Sequence, residues 1–466
     1  MPIVTDVTDN TSGLRPDRVK NTTRRQFLRG TITAGALAAF GGLTARLDRF
    51  NAFGERAFAN DLSPYGPLGP VASVNTGETL LSLPAGFQYN VLGRTGSAMT
   101  NGAPTPKLHD GMAAFSLPSR PDSWVLVRNH EVADINGTSG IVTGTPSYDA
   151  AAGGGTTTVV VDKQTRLITE SFASLAGTVR NCAGGRTPWN TWISCEETNV
   201  GTSNGFGKPH GYCFEVTPLQ PSTPVALKAM GRFRHEAVAV ELLTGIVYLT
   251  EDNDPAGFYR FLPAKYGQLS LGGRLQMLAV SGRANADLRT GQTSGQRMIV
   301  EWVDIGDPDP SAAETDLTAV FSQGAGSGGA TFRRLEGCFA GRGSISFTST
   351  TGGNAGFGQV WRYDSRVKSR FGHLTLVFES PDPAVLDLPD NICPGPRDSI
   401  VLCEDGSNGN YVRLLSRAGS IADLAQNITP GFEASEFAGS TFSPDGRTLF
   451  VNIQTPGITL AIWGAW

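Results

Sequence analysis

The sequence predicts an all-β fold. Glycine and proline together make up 86 of the 466 residues, well above the usual share of roughly 12%. The stretches between these turn-forming residues are rich in the Val, Ile, Phe and Thr side chains that favour strands. Many short strands joined by turns explain both features. A module that recurs six times along the chain, described below, leads to the same conclusion.

The first 59 residues have the pattern of an export signal. The pair Arg24-Arg25 precedes Phe27-Leu28 and an apolar run over residues 30–45. That run is shorter than the roughly 20 residues needed to cross a bilayer as a helix, which argues against a stable membrane anchor. Small residues around 57–59 suggest a cleavage site. We predict a twin-arginine signal over residues 1–59, rather than an ordinary secretory signal.

This signal predicts the location of the mature chain and one of its partners. The twin-arginine export machinery carries folded proteins, which suits a protein that binds its metal before export. The mature chain would then be periplasmic or secreted. Its length suits one large β domain over residues 60–466, and we expect a monomer.

One module recurs six times in the mature chain. Each copy has a polar or acidic residue, a short stretch of small apolar residues, a turn, and an apolar strand that usually ends in acids or amides. The copies start near Asp110, Cys182, Glu236, Glu336, Asn391 and Glu436. The long third interval predicts an insertion near residues 267–330. The shorter intervals are the size of one propeller blade, so we predict a six-bladed β-propeller.

The acids of these modules are predicted to meet in the central channel. In an antiparallel hairpin, the start of the first strand and the end of the second lie at the same edge. Six inner hairpins would therefore bring their polar ends to one mouth of the channel. The expected ring consists of Glu131, Glu196, Glu236, Glu251, Glu336, Glu404 and Glu436. So many carboxylates repel one another unless cations neutralise them. The alternative is that they are solvated acids in turns.

Composition narrows the choice of ligand. The formal net charge is −4 and the mature chain has no basic cluster, which argues against binding to nucleic acid. The five histidines show no spacing typical of a zinc site. Carboxylates suit hard cations such as calcium, manganese or ferric iron, and a thiolate favours a transition metal. Cys182, followed by Ala-Gly-Gly, is the thiolate candidate; the alternative is a buried structural or disulfide-bonded cysteine.

Several of these motifs, in this order, resemble the PhoX-type alkaline phosphatases. They include Asn181-Cys182 with the acids at 196 and 197, His235-Glu236, Tyr248 to Asp252, Glu336-Gly337, and Cys403-Glu404-Asp405. The resemblance covers nearly the whole mature chain. It implies hydrolysis of small phosphomonoesters at a cluster of ferric iron (Fe3+) and calcium (Ca2+) in the channel. Carried over to this sequence, the implied metal ligands are Cys182, Glu196, Glu236, Glu336 and Glu436, followed by Glu131, Glu251, Asp252 and Glu404.

A phosphomonoester site also needs a positive side chain, because a guanidinium fork matches the geometry of phosphate oxygens. The candidates for this catalytic role are Arg234, Arg260 and Arg397, with Arg342 as a fourth. For any one of them, the alternative is an ordinary surface arginine in a salt bridge.

Two other functions stay open. In a calcium-dependent lactonase or esterase, one cation at the channel mouth would polarise a carbonyl group. Such a site would need only three or four of the acids and no thiolate. In a non-catalytic propeller, calcium would be purely structural, and Cys182 would be replaceable.

Overall fold

The computed structural model describes residues 64–365 and 371–466. Strands and turns dominate this part of the chain, as the composition predicted. The predicted export signal, residues 1–59, lies outside the described residues. No helix within the described ranges is long and apolar enough to cross a membrane.

The strands are numbered in chain order. The first nine are β1 (Leu68–Ala72), β2 (Thr79–Pro84), β3 (Gln88–Arg94), β4 (His109–Phe115), β5 (Ser123–His130), β6 (Gly154–Asp162), β7 (Ile168–Thr178), β8 (Asn181–Arg186) and β9 (Trp192–Glu196). The next nine are β10 (Cys213–Val216), β11 (His235–Val240), β12 (Val247–Glu251), β13 (Phe258–Pro263), β14 (Gly273–Val280), β15 (Arg297–Asp304), β16 (Leu335–Ala340), β17 (Ser344–Ser349) and β18 (Gln359–Asp364). The last eight are β19 (Gly372–Glu379), β20 (Pro389–Pro394), β21 (Ile400–Glu404), β22 (Tyr411–Leu415), β23 (Ile421–Asn427), β24 (Phe437–Phe442), β25 (Leu449–Ile453) and β26 (Ile458–Trp463).

Helices are short within the described ranges. The α-helix is α1 (Phe321–Gly326). The 3₁₀ helices are Thr202–Asn204, Lys228–Met230, Leu269–Leu271, Ser311–Glu314 and Pro396–Asp398. All of them lie in connections between strands, so the sheets position the residues discussed below.

Six antiparallel hairpins surround a central channel. Their first strands are β4, β8, β11, β16, β20 and β24, and each packs against the next until β24 returns to β4. The ring is therefore closed. Outer strands extend each hairpin to a sheet, as in β4-β5-β6-β7. The fold is a β-propeller, and we interpret the six hairpins as six blades.

Two connections depart from a simple succession of blades. Strand β3, from the start of the described chain, pairs with β26 and completes the last sheet. Strand β15 pairs with β14 of the third sheet and β19 of the fourth, which merges them into nine strands. The expected insertion, residues 267–330, contains β14 and β15. These two strands of eight residues each belong to the sheets.

The core lies between neighbouring sheets. Inner strands such as β9 and β12 are buried on both faces, which is why they appear in the sequence as nearly continuous apolar runs. The ring of Phe258 in the third sheet stacks on that of Phe347 in the fourth, with centroids 4.1 Å apart. Aromatic pairs of this kind stabilise an interface beyond the area they bury.

Every inner hairpin has the same irregularity near the channel. Its register shifts by one residue just after the first strand begins, for example between His109 and Met112, and the other five hairpins repeat the shift. Such β-bulges redirect side chains. The residues after the bulge are small because the backbones of neighbouring inner strands lie close together. A Cβ added to Gly111 would lie 2.5 Å from the Ala183 Cα atom.

Candidate metal centre

The bulge gives each hairpin three equivalent positions at the channel. One residue follows the start of the first strand, a second follows the end of the second strand, and a third precedes the first strand. The first position holds Asp110, Cys182, Glu236, Glu336, Asp390 and Ala438. The second holds Glu131, Glu197, Asp252, Thr350, Asp405 and Gln454. The third holds Leu108, Arg180, Arg234, Arg334, Leu388 and Glu436.

A backbone hydrogen bond fixes this arrangement in all six hairpins. The N–H of the second-position residue donates to the carbonyl oxygen of the third-position residue over 2.9–3.2 Å, as from Glu197 to Arg180 and from Gln454 to Glu436. The backbone therefore sets the position of each side chain. Glu436 reaches the channel from a position that holds arginine in three other hairpins, while Ala438 takes the position of an acid.

Thirteen of these eighteen residues line a cavity of about 540 Å³ at the channel mouth. Its wall carries one thiol, from Cys182, and ten carboxylates: Asp110, Glu131, Glu197, Glu236, Asp252, Glu336, Asp390, Asp405, Glu433 and Glu436. Two arginines, Arg180 and Arg334, oppose them. Within the described residues, negative groups on this wall thus greatly outnumber positive ones.

Three groups of side chains could each hold a metal ion, because their ligand atoms lie within 4.8 Å of one another. The first consists of Cys182, Glu197 and Glu236. The second consists of Glu236, Glu336 and Asp390, and the third of Asp110, Glu131 and Glu436. Glu236 belongs to two groups and so connects them. One group contains a thiol, whereas the other two offer only oxygen.

Burial and mutual repulsion disfavour ionisation of these acids. Desolvation, followed by the charges of Asp390 and Glu197, raises the pKa of Glu236 well above its usual value. Desolvation and the nearby Asp405 raise the pKa of Asp390 to about 7. The pKa of the Cys182 thiol is also raised, by burial first and then by Glu236. A compensating positive charge would therefore favour proton release from this cluster.

The two arginines lie among the acids, and some of their N–H donors make no hydrogen bond within the described chain. Arg334 contacts Asp252 through Nε at 2.8 Å and Glu336 through Nη2 at 2.7 Å. Burial alone would lower the pKa of Arg334, but Glu336 and Asp252 raise it, so this guanidinium stays charged. Arg180 contacts Glu131 and Glu197 at 2.6 and 2.8 Å. Within the described chain, Nη1 of neither arginine makes a hydrogen bond.

Six of the nine predicted ligands lie on the cavity wall: Cys182, Glu236, Glu336, Glu436, Glu131 and Asp252. The other three, Glu196, Glu251 and Glu404, do not, and we correct the predicted ligand set accordingly. Each ends a second strand and turns away from the channel. Glu196 accepts hydrogen bonds from the N–H groups of Val179, Gly211 and Tyr212 and from His210 Nδ1.

Glu251 and Glu404 repeat that role in their own sheets. Glu251 accepts from the Gly257 N–H and the Tyr259 hydroxyl, both at 2.8 Å. Glu404 accepts from the N–H groups of Asp387 and Tyr411 and from Arg413 Nε. These three glutamates connect outer loops to inner strands through hydrogen bonds.

The four predicted arginines lie outside the cavity wall. Arg260 lies on β13, bonds to Gln276 and stacks over Trp302 at 4.6 Å. Arg397 lies over the ring of Tyr65 at 5.1 Å. Arg234 holds the same position as Arg180 and Arg334, yet it is absent from the cavity wall. The fourth candidate, Arg342, is exposed in the turn between β16 and β17.

Seven charged residues of the cavity wall are not among those predicted from the sequence: Asp110, Arg180, Glu197, Arg334, Asp390, Asp405 and Glu433. Asp110 begins the first module but is not among the predicted ligands. Asp390, the acid of the fifth hairpin, precedes the predicted module start, Asn391, by one residue. A usable signal is present for two of the others. Glu196-Glu197 and Glu404-Asp405 are adjacent acids at strand ends, and neighbouring residues of a strand face opposite sides.

Comparison with known proteins agrees with this fold. The family model described as "Alkaline phosphatase PhoX" matches residues 64–172 and 166–457. The fold is similar to that of PhoX from Pseudomonas fluorescens, solved in complex with vanadate, a transition-state analogue. The TM-score is 0.67 at 19% identity, over 85% of this chain and 97% of that one.

A gluconolactonase from Xanthomonas campestris is more distant, with a TM-score of 0.40 at 12% identity, over 87% of this chain and 99% of that one. A search among curated proteins found no match. The family match extends over most of the described chain and includes all the residues that line the cavity. The chain therefore belongs to the alkaline phosphatase family PhoX.

Proposed function

We propose that this protein hydrolyses phosphomonoesters at a cluster of iron and calcium ions bound in the channel. The observation that carries the proposal is the ring of ten carboxylates and one thiol around a cavity whose wall also holds two arginines. Family membership supports the reaction class. We further propose that the protein is exported by the twin-arginine route and acts as a monomer.

The donor sets fit these metals. Cys182, Glu197 and Glu236 combine a thiol with carboxylates, which suits ferric iron. The two oxygen-only groups suit calcium, a hard cation that prefers carboxylates. The buried Asp390 Oδ1 atom has no hydrogen-bond partner in the described chain, as expected for an atom that is available to a cation. Bound cations would also relieve the repulsion that raises the pKa values of these acids.

In this proposal, the two arginines bind the substrate. Arg180 and Arg334 are held in place by two carboxylates each, and each keeps Nη1 donors available for non-bridging phosphate oxygens. When bound, the cations supply Lewis acidity that neutralises charge on the phosphate and on the leaving oxygen. The salt bridges fix the two guanidinium groups before substrate enters, which lowers the entropic cost of binding.

The cavity size and its rim limit the substrate. A volume of about 540 Å³ accommodates a small phosphoester. Phe432, partly exposed at 38%, lies on the same wall and offers an apolar surface to the alcohol part of the substrate. The acidic wall disfavours substrates with a high negative charge unless cations are present.

The test combines metal analysis with an activity assay on the protein purified after native export. Wild type is expected to contain iron and calcium, to hydrolyse p-nitrophenyl phosphate, and to be inhibited by vanadate. Cys182→Ala should lose iron and activity together. Cys393→Ala is the matched control, because Cys393 is equally buried but packs in the core away from the cavity.

Other outcomes would contradict the proposal. Calcium without iron, together with hydrolysis of lactones but not of phosphoesters, would favour the lactonase alternative. Calcium with no hydrolysis of either substrate would favour a structural role. Full activity in Cys182→Ala would show that the thiol is not a ligand.

A further inference from the structure

A second charged site lies outside the channel, at Arg128 on β5. This arginine is 2% exposed and lies between the first sheet and β26 of the last. Its Nη1 donates to Thr459 Oγ1 at 2.6 Å, and its Nη2 donates to Thr157 Oγ1 at 3.0 Å. A third contact joins Nη1 to His109 Nδ1 at 3.3 Å. A guanidinium has five N–H donors, so two of them remain.

All the partners of Arg128 are neutral groups. His109 Nε2 lies 3.0 Å from the Pro106 carbonyl oxygen, so it carries the proton and leaves Nδ1 as the acceptor. His130, which bonds to Thr157, has its Nδ1 atom 2.9 Å from the Lys107 carbonyl oxygen and is protonated there. Burial lowers the pKa of Arg128 to about 9, and no carboxylate opposes the effect. Charged side chains are rarely buried without a counter-charge.

One of the unused donors is buried, and the Arg128 residue borders a cavity. Arg128 Nε is buried and has no hydrogen-bond partner in the described chain. Arg128 lines a cavity of about 260 Å³, which shares no lining residue with the channel site. Part of its wall is apolar, formed by residues such as Leu92, Met99 and Ile168. Among the described residues, no carboxylate lines it.

Polar groups on the same wall add further hydrogen-bonding capacity. Ser171 Oγ accepts from the Thr100 N–H at 3.1 Å, which leaves its own proton available. Ser97 and Ala98 belong to an exposed loop and form part of the cavity wall, so this side of the cavity lies next to solvent.

We propose that this cavity binds a small monocarboxylate, with its charged end on Arg128 and its alkyl part against the apolar wall. A guanidinium fork matches a carboxylate in shape and charge. One negative charge neutralises the single buried arginine, whereas a phosphate dianion would leave an excess charge in an apolar setting. The site joins β5 to strands β3 and β26, so its ligand would stabilise the contact between the first and last sheets. This inference does not depend on the proposed phosphatase activity.

The test is calorimetric titration of the metal-loaded protein with butyrate, and with butyramide as a neutral control of the same shape. Two variants remove the site differently. Arg128→Met removes the charge. Gly93→Val keeps the arginine but fills the cavity, since a Cβ added at Gly93 would lie 3.9 Å from Arg128 Nη1 and 3.8 Å from Ile168 Cδ1 without a clash. Arg94→Met is the matched control, because Arg94 is a partly exposed arginine that follows Gly93 on β3.

Butyrate is expected to bind wild type and Arg94→Met, and to bind Arg128→Met and Gly93→Val at least about tenfold more weakly. It should also raise the melting temperature of wild type. Butyramide should not bind. If butyrate binds Gly93→Val as well as wild type, or does not bind wild type, the proposal is wrong. Binding of chloride or inorganic phosphate in preference to butyrate would also overturn it. Should Arg128→Met fail to fold, the Gly93→Val result decides.

Discussion

Glu196 and Glu197 are neighbours in the chain, but their carboxylates lie on opposite sides of the channel wall. Glu196 accepts four hydrogen bonds from the connections that precede β8 and β10 of its own sheet. Glu197 faces the cavity, bonds to Arg180 and belongs to a candidate metal group with Cys182. The same division separates Glu251 from Asp252 and Glu404 from Asp405. In these hairpins one acid stabilises the blade and the next is available to a ligand.

This division predicts different defects for Glu196→Gln and Glu197→Gln. The amide at 196 would place an NH2 group against N–H donors, and the lost hydrogen bonds should lower the free energy of unfolding by about 3 kcal/mol without removing iron. Glu197→Gln should lose iron but unfold normally once metal-free. Urea unfolding of the metal-free proteins, together with metal analysis, checks both results. Iron loss in Glu196→Gln without any loss of stability would contradict this assignment.

Metal removal should make stability depend on pH. The pKa values of Glu236 and Glu336 are raised well above normal by burial and by neighbouring acids, and that of Asp390 is raised to about 7. The folded state therefore holds protons that the unfolded state releases near pH 4–5, so stability falls as pH rises from there through the folded-state pKa values. We expect the chelated protein to unfold at lower urea concentration at pH 8 than at pH 5.5. The metal-loaded protein should show a much smaller difference.

Substrate binding should depend on the guanidinium of Arg334 rather than on its charge alone. Arg334→Lys keeps a cation near Asp252 and Glu336 but removes the fork, so kcat/KM for p-nitrophenyl phosphate should fall by about 100-fold with metal content unchanged. Arg260→Lys is the control, since Arg260 stacks on Trp302 in an outer strand, and it should keep wild-type kinetics. Equal losses in the two variants would argue against a role for Arg334 in binding phosphate.

His210 should contribute stability that disappears at alkaline pH. Burial alone would lower its pKa, but contacts with Glu196 at 2.6 Å and Asp149 at 3.4 Å outweigh burial and raise it. A raised folded-state pKa stabilises the fold fully below the unfolded value of about 6.5 and loses this effect as pH rises through the folded value. The difference in unfolding free energy between wild type and His210→Asn should therefore be larger at pH 6 than at pH 9. A difference that grows with pH would show that the imidazole is neutral.

The amino-acid sequence predicts the propeller and the chemistry of its channel better than it predicts individual site residues. Short strands between turns and a recurring module are local signals, and they are sufficient to indicate the fold. The choice between Glu251 and Asp252 depends on a one-residue bulge near His235, which changes which side chain faces the channel. Nothing in a single sequence determines that register. Arg180 and Arg334 escape prediction for a similar reason, because their equivalence to Arg234, which is a predicted candidate, depends on the same register.

The pairing of β3 with β26 has a consequence for biosynthesis. The last sheet is complete only when a strand from the start of the propeller meets one from its end. The group formed by Asp110, Glu131 and Glu436 likewise draws on the first and last hairpins. During translation the earlier hairpins can form in order, but this group cannot assemble until the final segment leaves the ribosome. Its ion would therefore bind last, and it would stabilise the contact between the first and last hairpins after the ring has closed.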